Sequence, residues 1–266
     1  MKKSHTKRIL FKIINLIVYF VAKMNSKLPA IIEIEFKHVQ GKGSGASTCE
    51  IEAKTALDFL AMRGINKPVV LDIGANVGSY SDAILRFNPE ATIFAIEPSQ
   101  VARRELESKF IDDSRVVIFP FALSNSNSIG ILHSDVSGSG LASLTKRRLG
   151  HLGISFEHYE EVEIVTLDTW RKDHLIIPDL LKMDVEGHEL DVLKGGIETL
   201  ALVQVVQFEF GGCNIDTRTF FQDFWYLFTE AGFTIYRIAK IQPIRILHYS
   251  EEDEYFGTTN FLCVRE

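Results

Sequence analysis

Two stretches of this sequence crowd chemically useful side chains where a backbone must turn. The first is Leu71-Asp72-Ile73-Gly74-Ala75-Asn76-Val77-Gly78, which places an acid just before a glycine turn. Glycines at 74 and 78 allow a tight turn and a close approach of backbone to a ligand, ahead of a helix N-terminus. A second acid, Glu97, ends the next apolar run and is followed by Pro98. The pattern departs from a dinucleotide turn, because Asn76 stands where such a turn carries its second glycine beside the pyrophosphate. A carboxylate at Asp72 also suits a cationic amino-acid group better than a diphosphate. Strand, Asp-x-Gly-x-x-x-Gly, helix, strand, Glu is the order expected for S-adenosylmethionine. Asp72 and the backbone of Gly74, Ala75, Asn76 and Gly78 then hold its methionine part, and Glu97 holds the ribose hydroxyls. Ala122 and Leu123, after the third strand, border the adenine.

The second stretch is Lys182-Met183-Asp184-Val185-Glu186-Gly187-His188-Glu189. Along a strand Lys182 and Asp184 share a face, and Glu186 continues it if the backbone stays extended. Crowding three carboxylates and a histidine at a strand end is costly, which points to function. Asp184, Glu186 and His188 are the candidates for acceptor binding and base catalysis. His188 is the more natural base near neutral pH. Asp184 alternatively holds an ammonium group or the acceptor hydroxyl, and the residues alone do not choose the base. Glu189 in the first helical turn also suits the helix dipole, and His188 also reads as a surface histidine. Glu209 faces the same crevice if its strand is adjacent. These acids offer the oxygen ligands that Mg²⁺ takes, although no residue is assigned to a metal.

The elements that must position these residues alternate. Short apolar runs at Val69–Ile73, Thr92–Ile96, Val116–Phe119, Leu180–Asp184, Val203–Phe208, Phe233–Arg237 and Asn260–Val264 read as strands. Amphipathic stretches at Glu50–Arg63, Ser79–Phe87, Ser99–Phe110, Glu189–Lys194 and Thr219–Ala231 read as helices between them. Nearly all-apolar strands separated by helices specify a parallel sheet covered on both faces. The fold class is α/β, doubly wound and Rossmann-like, as one domain over residues 50–266. Ligands of such a sheet bind beyond the carboxyl ends of its strands. Ser124–Gly150, rich in Ser and Gly, interrupts the rhythm and reads as a polar excursion or lid near the site.

Composition excludes several classes. At 46% hydrophobic and 24% charged, the 266 residues can bury a full core, so the chain is neither disordered nor collagen-like. A net charge of −6 argues against nucleic acid as the main partner. Cys49, Cys213 and Cys263 lack zinc spacing and suit a reducing, cytoplasmic compartment. Residues 1–27 hold seven Lys and Arg and no acid, a basic arm on an acidic body. Within it, residues 9–22 read as an apolar helix with a narrow polar stripe. At roughly 1.5 Å per residue it is short for a bilayer. The 1–30 segment therefore reads as a basic amphipathic helix. It either contacts the inner face of a membrane through residues 1–27 or packs on protein, and a homo-oligomer is a further expectation.

Over residues 50–264 the chain resembles the FkbM family of S-adenosylmethionine-dependent methyltransferases. The resemblance rests on VVLDIGANVGSYS, FAIEPS, FPFALS, GSGLASL, VTLDTW, LLKMDVEGHELDVLKGG, VVQFEF and TTNFLCV. It implies a class I methyltransferase sheet of seven strands with the last antiparallel. It also implies O-methylation of a hydroxyl on a sugar, glycan or polyketide-like acceptor. Two other classes are weighed against it: a nicotinamide-dependent oxidoreductase, and a non-catalytic membrane- or partner-binding module with a vestigial pocket. The missing middle glycine opposes the first, and intact Asp72, Gly74, Gly78, Glu97 and Asp184 oppose the second.

Overall fold

Val69–Ile73 (β1), Thr92–Ile96 (β2) and Val116–Phe119 (β3) pair in parallel, and Leu180–Met183 (β7) lies on the other side of β1. The computed structural model describes residues 12–21, 23, 28–43 and 48–266. Three further strands complete this half of the large sheet: Val205–Phe210 (β8), Phe233–Arg237 (β9) and Thr259–Arg265 (β11). β11 runs antiparallel between β8 and β9, as the resemblance implies. The sheet has eight strands rather than the expected seven, in the order β10-β9-β11-β8-β7-β1-β2-β3. The extra strand, Ile244–Arg245 (β10), is two residues paired antiparallel to β9, too short to leave a hydrophobic period.

The chain leaves β1 toward β2 and β3, then returns to β7 on the opposite side. That reversal opens a crevice at the carboxyl ends of β1 and β7, the position where ligands bind in such sheets. Helices cover both faces. One core packs Trp170 and a run of phenylalanines, among them Phe208, Phe224 and Phe261, with Phe208 stacked 4.5 Å from Phe224. The other packs Ala53, Leu57 and Leu60 of Cys49–Met62 (α3) against Ala83 and Ile84 of Ser79–Phe87 (α4). Each buried Leu, Ile or Phe among them stabilises the fold by about 1.5–3 kcal/mol before entropy is counted.

The stretch expected to be a polar excursion carries structure of its own. Ala122–Ser124 (β4), Ser128–Ser134 (β5) and His158–Thr166 (β6) form a second sheet in the order β4-β6-β5. Leu132 of β5 is buried with Ala122, Val162 and Ile164, so part of the segment belongs to a small core rather than to a wholly polar excursion. Its chain then returns as an irregular stretch over residues 135–149.

Of the expected N-terminal helix, residues 9–11 and 22 lie outside the described residues. Residues 12–21 are helical (α1), and 12–20 are exposed. A second helix, Leu28–Val39 (α2), was not foreseen. It meets the body at its C-terminal end, where Gln40 O accepts from Arg237 Nε at 2.8 Å.

Candidate active site

The β1 turn is built to pack tightly. Gly74 has φ +74, and a Cβ there would lie 1.9 Å from Asp184 O, so the exits of β1 and β7 touch only because residue 74 is glycine. Gly78 is needed for a different contact: a Cβ would press on Leu106 and Phe110, against Gln100–Lys109 (α5). Four of the N–H groups of residues 74–78 are consumed internally. Gly74 N and Ala75 N donate to Ile96 O, Asn76 N to a Glu97 oxygen, and Gly78 N to Ala75 O. A turn with its donors spent in this way offers little to a diphosphate, which binds through free N–H groups.

Asp72, expected to hold the cationic part of a ligand, sits behind the cleft wall. It is fully buried, 3.2 Å from Lys182 Nζ, and accepts from Ser81 Oγ at 2.7 Å. Burial works to lower the Lys182 pKa, but Asp72 and Asp184 outweigh it and keep the ammonium charged. Ala75 and Gly78 likewise lie off the cleft wall. The cleft, about 630 Å³, is lined by Gly74, Asn76, Glu97, Pro98, Ala122, Leu123, Asp184, Glu186 and His188, which sequence reasoning named. Ser139, Gly140, Ala142 and Leu144 complete its lining from the returning stretch. The GSGLASL segment was the available signal for these four.

Glu97 presents its carboxylate to the cleft. Its two oxygens accept from Asn76 N and Ser99 N, each at 2.8 Å. Burial raises its pKa to about 7 against the pull of those two donors.

The second motif does not stay extended. β7 stops at Met183, and Glu186 and Gly187 take φ of +53 and +103. Glu189 holds this turn: its wholly buried carboxylate accepts from Val185 N at 2.9 Å and Gly187 N at 3.1 Å. Its place is thus a structural clasp as well as the first turn of Glu189–Lys194 (α7). Reversed in this way, Glu186 does not continue the face of Lys182 and Asp184 but pairs with Arg147. Burial first, then Asp184, raises the Glu186 pKa to about 8, while Arg147 opposes them.

His188 caps α7 and is not a surface histidine. Its Nε2 lies 2.9 Å from Thr145 Oγ1 and its Nδ1 3.4 Å from Asp191 Oδ2. Ser143 Oγ donates to Glu186 O at 2.8 Å, so Ser143, Thr145 and Arg147 together brace the turn from the returning stretch. Sequence reasoning missed these three, because each meets its partner across about forty residues, and missed Asp191, which reads as an ordinary first-turn acid of α7 although it lies three residues from His188.

Asp184, Glu186 and Glu209 converge, with one oxygen of each within 4.8 Å of the others. Burial, then Asp184 and Glu186, raises the Glu209 pKa well above the usual carboxylate range. This set does not fit Mg²⁺, because two of its carboxylates already face cations: Arg147 on Glu186, and Lys182 3.7 Å from Asp184.

A family model, the methyltransferase FkbM domain, matches residues 72–235. The chain belongs to the FkbM methyltransferase family. It is also similar to 2-O-methyltransferase NoeI of Sinorhizobium fredii, at 31% identity over 153 residues, 54% of this chain. That match spans 63% of the relative's own length. Among solved structures, precorrin-6y C5,15-methyltransferase of Geobacter metallireducens aligns over 80% of this chain and 87% of its own, at 11% identity and a TM-score of 0.43. Magnesium protoporphyrin IX methyltransferase of Synechocystis aligns over 92% and 96%, at 12% identity and a TM-score of 0.42. These two likenesses are too distant to bear on function.

Proposed function

We propose that this FkbM-family chain transfers a methyl group from S-adenosylmethionine to a hydroxyl of a sugar, glycan or polyketide-like acceptor. The observation that carries the reading is the cleft's donor and acceptor set. The turn at Gly74–Gly78 has spent four of its five N–H groups, while Glu97 and Asp184 offer carboxylates to a ligand with ribose hydroxyls and an ammonium group. The same set opposes a nicotinamide dinucleotide. A relative named as a 2-O-methyltransferase supports oxygen as the methylated atom.

When bound, the cofactor supplies an electrophilic methyl group. Glu97 would accept from its ribose hydroxyls, and Ala122 and Leu123, which line the same cleft, would flank its base. Asp184, whose side chain is 41% exposed, is the acid open to the ammonium group. Lys182 and Asp72 fix that wall from behind. His188 takes the proton of the acceptor hydroxyl at Nε2, where Thr145 Oγ1 now sits, and Asp191 steadies the ring at Nδ1. A positioned base contributes about 10²–10⁴ in rate, and alignment of the two reactants about 7–11 kcal/mol.

Calorimetric titration with S-adenosylmethionine and S-adenosylhomocysteine tests the reading. Binding should weaken about tenfold or more in Glu97→Ala, the loss of a charge-assisted hydrogen bond. Well-folded protein that binds neither compound would sink it. In turnover, His188→Ala should lower kcat by about 10²–10⁴ with cofactor affinity kept.

For the N-terminal helices the reading is contact with an anionic membrane surface. No helix among the described residues is long and apolar enough to cross a membrane. Ile31, Ile34 and Phe36 of α2 are nonetheless half or more exposed, beside a basic arm.

A further inference from the structure

A second cleft, about 1210 Å³ and open to solvent, adjoins the first across one ion pair. Glu186 lines the first cleft, Arg147 lines the second, and the two side chains bond to each other. The walls of the second cleft come from α2, the chain around residues 147–152, Cys213–Thr217 (α9) and the loop at 255–258.

Its buried arginine, Arg147, is met by two acids, Glu186 and Asp216, which leaves Arg148 as the lining guanidinium without an acid partner among the described residues. The lining carboxylate, Asp216, is already engaged: Oδ2 lies 3.6 Å from Arg147 Nε, and Oδ1 accepts from Arg148 N at 3.3 Å. Beside it the lining offers the Arg148 side chain and the imidazoles of His38 and His151 as donors. Arg148 is exposed, and its guanidinium makes no ion pair among the described residues. At the rim Lys42 and Lys37, the latter already paired with Glu33 at 2.7 Å, hold their Nζ atoms 5.8 and 5.4 Å from the centre of the Tyr255 ring. Tyr255 and Phe256 supply aromatic surface on the same side. Aromatic faces beside polar donors suit the C–H face and hydroxyls of a sugar ring. The unpaired Arg148 guanidinium, with imidazole donors near it, suits a carboxylate or phosphate.

We propose that the second cleft seats the methyl acceptor, a sugar bearing a carboxylate or a phosphate, with its reacting hydroxyl at the Arg147–Glu186 partition. This rests on the methyltransferase reading, since that reading makes His188, which shares the first cleft with Glu186, the base. The second cleft reaches the first through Arg147, whose partner Glu186 lines the cofactor cleft together with His188, so an acceptor seated there approaches the base from the side away from the cofactor's wall.

Ligand-observed NMR on the full chain, with S-adenosylhomocysteine present, tests the assignment. The probes are methyl glucuronide, glucose 1-phosphate and uncharged methyl glucoside. Saturation transfer should be about tenfold stronger for an anionic sugar than for the neutral one. The stronger of the two anionic probes distinguishes carboxylate from phosphate. Arg148→Glu should abolish the signal while calorimetry shows unchanged S-adenosylhomocysteine affinity, and His151→Ala should weaken it. Equal signals for all three sugars, or an anionic signal that survives Arg148→Glu, would overturn the proposal. So would a bound sugar that shows no interligand Overhauser effect to S-adenosylhomocysteine. If the wild-type chain fails to bind S-adenosylhomocysteine, the methyltransferase reading fails instead, and the sugar signals alone decide whether the cleft takes anionic sugars.

Discussion

Lys182 stands between two acids, 3.2 Å from Asp72 and 3.7 Å from Asp184, and Asp72 has no exposure to water. Lys182→Met would strand a buried carboxylate, at a cost of about 3–5 kcal/mol. Urea denaturation should show that loss, and Asp72→Asn in the same chain should recover part of it; independent, additive losses would refute the pairing. A second residue-scale expectation concerns pH. Burial, first among the causes, raises Glu97 and Glu189 to about 7 and Glu186 to about 8, from an ordinary value of 4.5. Between 4.5 and those values the folded chain holds protons that the unfolded chain has released. Their stabilisation is therefore full below pH 4.5 and falls as pH rises through 7 to 8. The Tm should decline over that window, and Glu189→Gln should flatten the decline by an amount on the order of 3 kcal/mol. An equally steep decline in Glu189→Gln would contradict it. At this scale the sequence made the acids of the site legible by their types and spacing. What it hid was burial: nothing in the letters separates Asp72, sunk behind the wall, from Asp184, open to the cleft.

At the scale of elements, Gly74 carries the junction between β1 and β7. Gly74→Ala should destabilise the fold by more than the about 1–3 kcal/mol of a left-handed alanine, because its Cβ would also meet Asp184 O at 1.9 Å. Thermal denaturation checks this, and a change within error of zero would mean that the two strand exits part easily. The apolar central strands were readable because both their faces are buried, leaving no polar residues to blur the run. The edge strand β10 and the small sheet were not. β5 is largely exposed along its first half, so it mixes Ser, Gly and His with its apolar residues. The reversal at Glu186 was hidden for another reason: glutamate gives no sign of a positive φ, and the clasp that enforces it, Glu189, reads as an ordinary helix-start acid.

For the whole molecule, the N-terminal helices set one expectation. The full chain should co-sediment with vesicles containing anionic lipid, and the attachment should weaken with salt. A chain lacking residues 1–27 should bind such vesicles at least several-fold less while S-adenosylhomocysteine affinity is kept. Undiminished binding would mean that the body, or a second copy of the chain, carries the contact. A different consequence lies in the sheet order. β11 sits between β8 and β9, and its side chains enter both cores, Phe261 and Cys263 on one face and Leu262 and Val264 on the other. A chain stopped at residue 257 should therefore partition to the insoluble fraction on expression, with two open ladders. The same arrangement imposes a wait during synthesis. β8 and β9 leave the ribosome before the strand that must lie between them. At roughly 5–20 residues per second the gap stays open for a few seconds, an interval when a neighbouring nascent chain's strand can fill the slot that residues 259–265 are destined to occupy.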